Sequence, residues 1–331
     1  MATQPVSLTR GLTRLQLLSL DACSRCNVCL DWCTVQDVLH DPSISPPEKI
    51  RIYGEMVRES QGLKAKLFGA APLDHDALVK LSEAIYKCTT CGRCGEVCEV
   101  GIDTMRLWPA LRKKMVELGV GPMDPQKATL PIVQAKHNPY DKPHEDRFAW
   151  IPKEVTVADR ADIGYYAGCS GPYTAQPQNI GALKMMQAAG IEFTLNRDEW
   201  CCGFPLWVIG VWDILEEVVR HNVEWYADHG VKRLVVSCPC CTDHITRRWP
   251  QFYGQALPFE VIHITQFMCE KIDAVKFTKS LDVPITYHDP CYLSRGMGIV
   301  DEPRKVIEKF PGVNLIEMKQ NRELSRCCGA G

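Results

Sequence analysis

The chain has 331 residues, room for two domains of ordinary size, and its 46% hydrophobic and 24% charged composition is that of a globular protein, not a disordered or collagen-like one. Its 38 basic and 40 acidic residues leave a formal charge of -2, so no global positive field exists to draw in phosphate backbones or anionic lipids, and nucleic-acid binding is not expected. Eighteen cysteines stand out, and they fit either an oxidising compartment with disulfides or a reducing one with thiolates kept for metals.

Between Met1 and Cys23 the apolar run is broken by Ser19 and no small-residue cleavage site follows, so no signal peptide is expected. No window approaches the roughly 18 to 20 apolar residues of a membrane span; the stretch from Leu206, LWVIGVWDIL, comes nearest. Both points favour the cytoplasm and metal-binding thiolates.

Residues 1–120 read as helical, with Leu12, Leu15 and Leu18, then Leu78, Leu81 and Ile85, at helix-like spacing. Two cysteine runs punctuate them. Cys23, Cys26, Cys29 and Cys33 form C-x2-C-x2-C-x3-C, and Cys88, Cys91, Cys94 and Cys98 repeat it. Three thiolates two residues apart embrace one face of an iron–sulfur cube, while the fourth, displaced by a turn, reaches the neighbouring cube. The spacing therefore predicts two [4Fe-4S] cubanes with crossed ligation, Cys23, Cys26, Cys29 and Cys98 on one and Cys88, Cys91, Cys94 and Cys33 on the other. A pair of zinc sites is the rival, but zinc usually takes two separated pairs of ligands. Thr34 and Glu99 stand where the bacterial pattern has proline, which loosens the turn without removing a ligand. The long segment 34–87 is expected to be helical.

Residues 121–157 contain Pro122, Pro125, Pro131, Pro139, Pro143 and Pro152 and are expected to form an extended linker. From 158 to 331, short apolar runs alternate with amphipathic stretches, the signature of βαβ units and parallel strands. IGYYAG, IEFTL and RLVVS are expected strands, with NIGALKMMQAAG and WDILEEVVRHNVEWYADHG as helices between them. A second round has VIHITQFMCEKI as helix, VPITYH as strand, PRKVIEKF as helix and VNLIEM as strand. The two rounds form an imperfect duplication, hence two α/β lobes.

The first lobe carries Cys169, Cys201, Cys202, Cys238 and Cys241 as C-x31-CC-x35-C-x2-C. Ligands in open parallel sheets gather at the carboxyl ends of strands, so all five are expected on one rim. The second lobe offers Cys291, Cys327 and Cys328, but no C-x2-C follows before Gly331. Either the second lobe is truncated, the reading favoured here, or three cysteines bind a cluster with an open iron. Vicinal disulfides at Cys201-Cys202 and Cys327-Cys328 would be strained, and zinc in one lobe stays an alternative. Cys240 reads as a buried thiol and Cys269 as core. Trp200, Phe204 and Trp207 either shield a cluster from water or pack the core, the second reading being favoured. His288 and Asp289 either relay a proton to a departing thiolate or cap the strand end.

Cys169, Trp200-Cys201-Cys202-Gly203 and Cys238-Pro239-Cys240-Cys241, following a ferredoxin-like half, resemble the CCG-domain iron–sulfur family in order and spacing across nearly the whole chain. That family is typified by the catalytic subunits of heterodisulfide reductase, HdrD among them, and by DsrK of the sulfate-reduction membrane complex. The resemblance implies an α+β fold in two parts, a helical ferredoxin-like domain with two cubanes and a pair of α/β CCG lobes. It implies a heterodisulfide reductase-like enzyme in which at least one further [4Fe-4S] cluster, of cubane or non-cubane type, serves disulfide or trisulfide chemistry at Cys169, Cys201, Cys202, Cys238, Cys241, Cys291, Cys327 and Cys328, with His288 beside them. A membrane cytochrome b subunit oxidising quinol is the implied electron donor, with the chain peripheral on the inner face of the membrane and its substrate a small heterodisulfide or a trisulfide on a small protein. No Gly-rich dinucleotide fingerprint lies between a strand and a helix. The alternative role is an electron-carrier subunit of a glycolate, lactate or glycerol-3-phosphate oxidising complex.

Overall fold

The computed structural model describes residues 7–70 and 72–329. The end at Gly331, and with it the expectation of a truncated lobe, lies outside the described residues. The chain divides into two compact units: 1–127 with 207–212 and 326–331, and 128–206 with 213–325.

Unit 1 is helical. Helix α1 (Arg14–Ala22) starts in a capping box, Thr13 Oγ1 accepting from Gln16 N and Gln16 Oε1 from Thr13 N. Then come α2 (Thr34–Leu39), α3 (Pro46–Gln61), with proline in its first turn where no donor is missed, and α4 (Leu63–Phe68). Asp74 caps α5 (His75–Tyr86), a single turn α6 (Arg93–Glu96) follows, and Asp103 caps α7 (Thr104–Glu117). The core is built by α3, α5 and α7: Tyr53, Ile85, Leu107, Trp108, Leu111 and Met115 are buried, with Leu78 and Leu81. Helix α1 departs from its periodic reading, because Leu15 and Leu18 are exposed and Leu20 is its buried leucine.

The expected extended linker is instead folded. Helices α8 (Asp124–Lys127) and α9 (Thr129–Lys136) and a 3-10 turn at Glu145–Phe148 occupy it, and the boundary between units falls at 127/128. Its prolines sit at helix starts and turns, where a missing N–H costs nothing.

Unit 2 contains the α/β pattern. Strand β1 (Ile163–Tyr166), α10 (Ser170–Tyr173), α11 (Gln176–Ala188), α12 (Phe204–Ile209, which continues into unit 1), α13 (Leu215–Asp228) and β2 (Arg233–Val236) are followed by α14 (Pro239–Arg247), α15 (Trp249–Tyr253), β3 (Glu260–His263) and α16 (Ile264–Lys271). The sheet is parallel in the order β1-β2-β3, Tyr165 opposite Val235 and Val235 opposite Ile262. Leu234, Val235 and Val236 of the central strand are buried with Tyr165, Tyr166 and Phe267.

Two strand expectations change. IEFTL forms no strand: Thr194 alone bridges to Ala158 and Gly164, because the Asn196–Asp198 turn, closed by Asp198 N to Asn196 Oδ1 at 2.8 Å, cuts the pairing short. VIHITQFMCEKI begins as a strand, since His263 caps the following helix through the N–H of Thr265, and only from Ile264 is it helical. The second round forms a small parallel pair, β4 (Pro284–Ile285) and β5 (Asn314–Leu315), with α17 (Cys291–Met297) and α18 (Asp301–Glu308) between them. No described helix is long and apolar enough to cross a membrane.

Candidate metal centres

In unit 1 the two cysteine runs bend alike. Arg25 and Asn27 flank Cys26 with φ of 60° and 65°, and Thr90 and Gly92 flank Cys91 with φ of 53° and 76°. L-residues seldom adopt this left-handed conformation, and its recurrence at matching positions curls each run around its cysteines. A Cβ on Gly92 would stand 2.3 Å from Met105 Cγ, so a side chain at the fourth of these positions would be strained and would displace Met105. Cys23, Cys26, Cys29, Cys94 and Cys98 line one cavity, and Cys33, Cys88, Cys91 and Cys94 line a second. Cys33 and Cys98 have thus changed places relative to their own runs, as crossed ligation requires, and Cys94 touches both cavities.

Burial and then the charges of Cys94 and Cys23 push the Cys29 thiol up to about 12, and burial and then Cys88 push Cys94 up to about 12. Burial also raises Cys33. Thiols that penalise one another's ionisation in this way are a donor set suited to a cationic core. Lys49, buried against the Trp108 ring at 4.4 Å, lends positive charge to Cys33 and Cys94.

In unit 2 the loops after β1 and β2 and the segment Glu199–Gly203 bring six sulfurs together. The thiols of Cys169, Cys201, Cys202, Cys238, Cys240 and Cys241 lie close enough for each to shift the ionisation of its neighbours. All are free thiols. Burial opposes ionisation of Cys202, but the thiols of Cys201 and Cys241 bring it down to about 6; those of Cys240 and Cys241 likewise hold Cys238 well below an ordinary thiol. The other four are pushed up, Cys169 chiefly by Cys201, Cys240 by Cys238 and Cys241 by Cys202. Convergence of the five expected cysteines is therefore met, although Cys201 follows a turn instead of a strand. Cys240, read as a buried thiol, belongs to the same group and feels the charge of Cys291. Cys269 packs against the core, as expected.

The Glu199–Gly203 segment is fixed from several sides. Trp200 N donates to Asn222 Oδ1 at 3.0 Å, Cys201 N to His137 O at 2.8 Å, Tyr166 Oη to Trp200 O at 2.6 Å and Trp249 Nε1 to Cys202 O at 2.9 Å. Trp200 is stacked between His137 and His221, at 3.8 and 3.9 Å, and Phe204 packs edge-on to Tyr292. Gly203, at φ 90°, donates its N–H to Cys201 Sγ at 3.4 Å; Gly329, at φ 83°, donates to Cys327 Sγ at 3.3 Å. The two Cys-Cys-Gly runs thus share one local geometry.

Beneath the unit 2 thiols lies an ion pair the sequence did not announce. Arg147 and Glu199 are both fully buried, joined at 2.8 Å. Burial raises the Glu199 carboxyl, and Arg147 beside it works the other way. Arg147 falls in the stretch expected to be a linker, and nothing in the residue types around Glu199 distinguishes it from a surface carboxylate.

The second lobe's residues are divided. Cys291 opens α17 in unit 2, whereas Cys327 and Cys328 belong to unit 1, Cys327 Sγ donating to Thr89 Oγ1 at 3.3 Å, between Cys88 and Cys91 in sequence. His288 is half-buried. Asp289 is a structural anchor: its carboxylate is buried, accepts from both Nη atoms of Arg304 at 2.7 and 2.8 Å and from Arg322 N at 2.6 Å. Among the described residues no three His, Cys, Asp or Glu side chains are drawn in to hold a single ion; a four-iron cube spaces its thiolates more widely than one ion does.

A 4Fe-4S dicluster domain model matches residues 19–102, and a cysteine-rich domain model, CCG, matches 163–246 and 285–331. This pairing defines an iron–sulfur oxidoreductase. The chain is 41% identical over 330 residues to the D subunit of dihydromethanophenazine:CoB--CoM heterodisulfide reductase from Methanosarcina barkeri, covering 98% of this chain and 81% of that one, and 39% identical to its counterpart in Methanosarcina mazei with equal coverage. The B subunit of a fumarate reductase (CoM/CoB) from Methanothermobacter marburgensis is 26% identical over 98% of this chain and 63% of its own length. The chain belongs to the CCG iron–sulfur family that includes the heterodisulfide reductase D subunits. No solved structure matches it at a significant level.

Proposed function

We propose that the chain is the catalytic component of a complex that reduces a disulfide, or runs that reaction backwards, at the converging thiols of unit 2. The convergence of six cysteine sulfurs at the ends of β1 and β2, near enough to shift one another's ionisation, is the observation on which this rests. Two electrons and two protons turn R–S–S–R′ into two thiols. Iron–sulfur clusters, when bound, supply one-electron transfer and an iron that takes a thiolate.

The chain's residues supply the rest. Cys23, Cys26, Cys29 and Cys98, with Cys33, Cys88, Cys91 and Cys94, hold two entry clusters; Cys169, Cys201, Cys202, Cys238 and Cys241 hold a third. Cys291 in unit 2 and Cys327 and Cys328 in unit 1 are kept as further candidate ligands, each within its own unit, and zinc is the rival occupant of one lobe. The Trp200 stack and the buried Tyr166 and Trp249 keep the thiols in a dry, fixed frame, and His288, three residues before Cys291, is the candidate proton donor to a departing thiolate. The substrate is a heterodisulfide of two small thiols, as the relatives' names state for those proteins, and a trisulfide on a small protein is the form it would take in sulfate reduction. The donor is a reduced quinol-type carrier, reached through a membrane cytochrome b partner on the cytoplasmic side.

Electron paramagnetic resonance on anaerobically purified protein, oxidised with and without candidate thiols and accompanied by iron and zinc counts, tests this reading. A signal that appears on oxidation and changes with the thiol is expected. Two ferredoxin-type signals unmoved by any thiol would make the chain an electron carrier instead.

A further inference from the structure

Arg147 and Glu199 are joined by a 2.8 Å ion pair with 0% of either side chain exposed, and removing two charges from water in this way requires compensation from specific partners. Glu199 has them. Its Oε2 accepts from Ala167 N at 2.8 Å and from Tyr226 Oη at 3.2 Å, and its Oε1 accepts from Gly168 N at 3.0 Å as well as from Arg147. Ala167 and Gly168 immediately precede Cys169, and Glu199 itself stands two residues before Cys201. One carboxylate thus ties together the two backbone stretches that present Cys169 and Cys201.

Arg147 is less fully satisfied. Its Nη2 donates to Gly168 O at 2.7 Å and to Glu199, but Nε and Nη1 are buried without an acceptor in hydrogen-bond geometry, with the Tyr173 hydroxyl and the Cys169 thiol as neighbours that feel its charge. The anion of the pair is spent on three further donors, whereas the N–H groups on Nε and Nη1 of the cation have no acceptor in hydrogen-bond geometry. A cluster held by buried thiolates is anionic and desolvated, so a fixed cation beside one of its ligands favours the state carrying the extra electron.

We propose that Arg147 is a positioning residue that sets the reduction potential of the unit 2 cluster, its unspent guanidinium edge holding a fixed positive charge beside Cys169 while Glu199 orients it. The proposal rests on unit 2 binding an iron–sulfur cluster, as argued above.

The test is a redox titration of the anaerobically purified protein with its clusters in place, followed by electron paramagnetic resonance, in Arg147→Gln, Arg147→Lys and Glu199→Gln. Arg147→Gln is expected to shift the unit 2 midpoint to lower potential, Glu199→Gln to higher potential, and Arg147→Lys to leave it close to the parent, with the two unit 1 signals unmoved in all three. Opposite shifts are the mark of charge, because damage to the scaffold has no reason to change sign with the residue. Shifts of one sign, or none, with iron retained would overturn the proposal, as would loss of the unit 2 cluster in all three variants, which reduces the pair to a structural clamp. Absence of any unit 2 cluster in the parent protein would overturn both this proposal and the reading beneath it, whereas a parent cluster that responds to thiols but not to these substitutions sinks this proposal alone.

Discussion

The glycine after each cysteine pair occupies backbone that a side chain strains, and the two positions differ in what surrounds them. At Gly203, φ is 90° and an added Cβ would lie 2.7 Å from Leu215 Cδ2; at Gly329, φ is 83° and nothing lies within 4 Å. A left-handed L-residue costs about 1–2 kcal/mol, and a clash with a buried leucine adds to it. Gly203→Ala is therefore expected to destabilise unit 2 by about 2–4 kcal/mol, and Gly329→Ala to cost only the conformational part, about 1–2 kcal/mol. Denaturant unfolding of both anaerobic variants checks this, and equal losses would show that packing against Leu215 contributes nothing. Other single residues were beyond inference from sequence. Asp289 offered a proton-relay reading from its place before Cys291, yet its carboxylate is occupied by Arg304 and Arg322.

Short elements decide which thiols meet. Cys94 lies within the single turn of α6 and Cys98 just beyond it, so one turn of helix separates a thiol touching both cavities from one touching the first. Under crossed ligation, Cys26→Ala and Cys98→Ala perturb the same cluster signal and Cys91→Ala and Cys33→Ala the other, each pair member removing about four irons. Iron analysis with electron paramagnetic resonance on the four variants distinguishes this from uncrossed runs, in which Cys98→Ala would follow Cys91→Ala. The grouping of the eight cysteines around two cavities was legible because cysteine spacing reports ligand geometry directly. Strands rich in β-branched and apolar residues, RLVVS above all, were legible for the same kind of reason. IEFTL and VIHITQFMCEKI were not, since apolar runs of that length fit strand and helix equally and side-chain hydrogen bonds at Asn196 and His263 decide the matter. Proline content likewise misled over 121–157, because proline is at home in a helix's first turn.

At the scale of the molecule, both units have an apolar core, but one stretch of unit 1 contributes nothing to it. Unit 2 has an apolar interior, with Leu234, Val235 and Val236 of its central strand at 0% exposure between β1 and β3. Within unit 1 the stretch from Asp21 to His40 contributes no buried residue, although it supplies Cys23, Cys26, Cys29 and Cys33, and Val38 and Leu39 of α2 face outward. Arg93 over the Trp32 ring at 4.7 Å and an exposed Arg326–Asp37 ion pair at 2.8 Å are among its side-chain ties, and exposed pairs are worth about 0–1 kcal/mol. A segment with so little apolar burial opens at little cost unless metal–thiolate bonds fasten it. Removing iron with a chelator under anaerobic, reducing conditions is therefore expected to bring the amides of 21–40 to rapid hydrogen exchange, while β1 and β2 of unit 2 stay protected. Retained protection of 21–40 in the iron-free protein would mean that protein contacts hold the segment and that its four cysteines are not its anchor. Rapid exchange confined to that segment would place the metal–thiolate bonds among the interactions that fold unit 1, with unit 2 relying on its sheet.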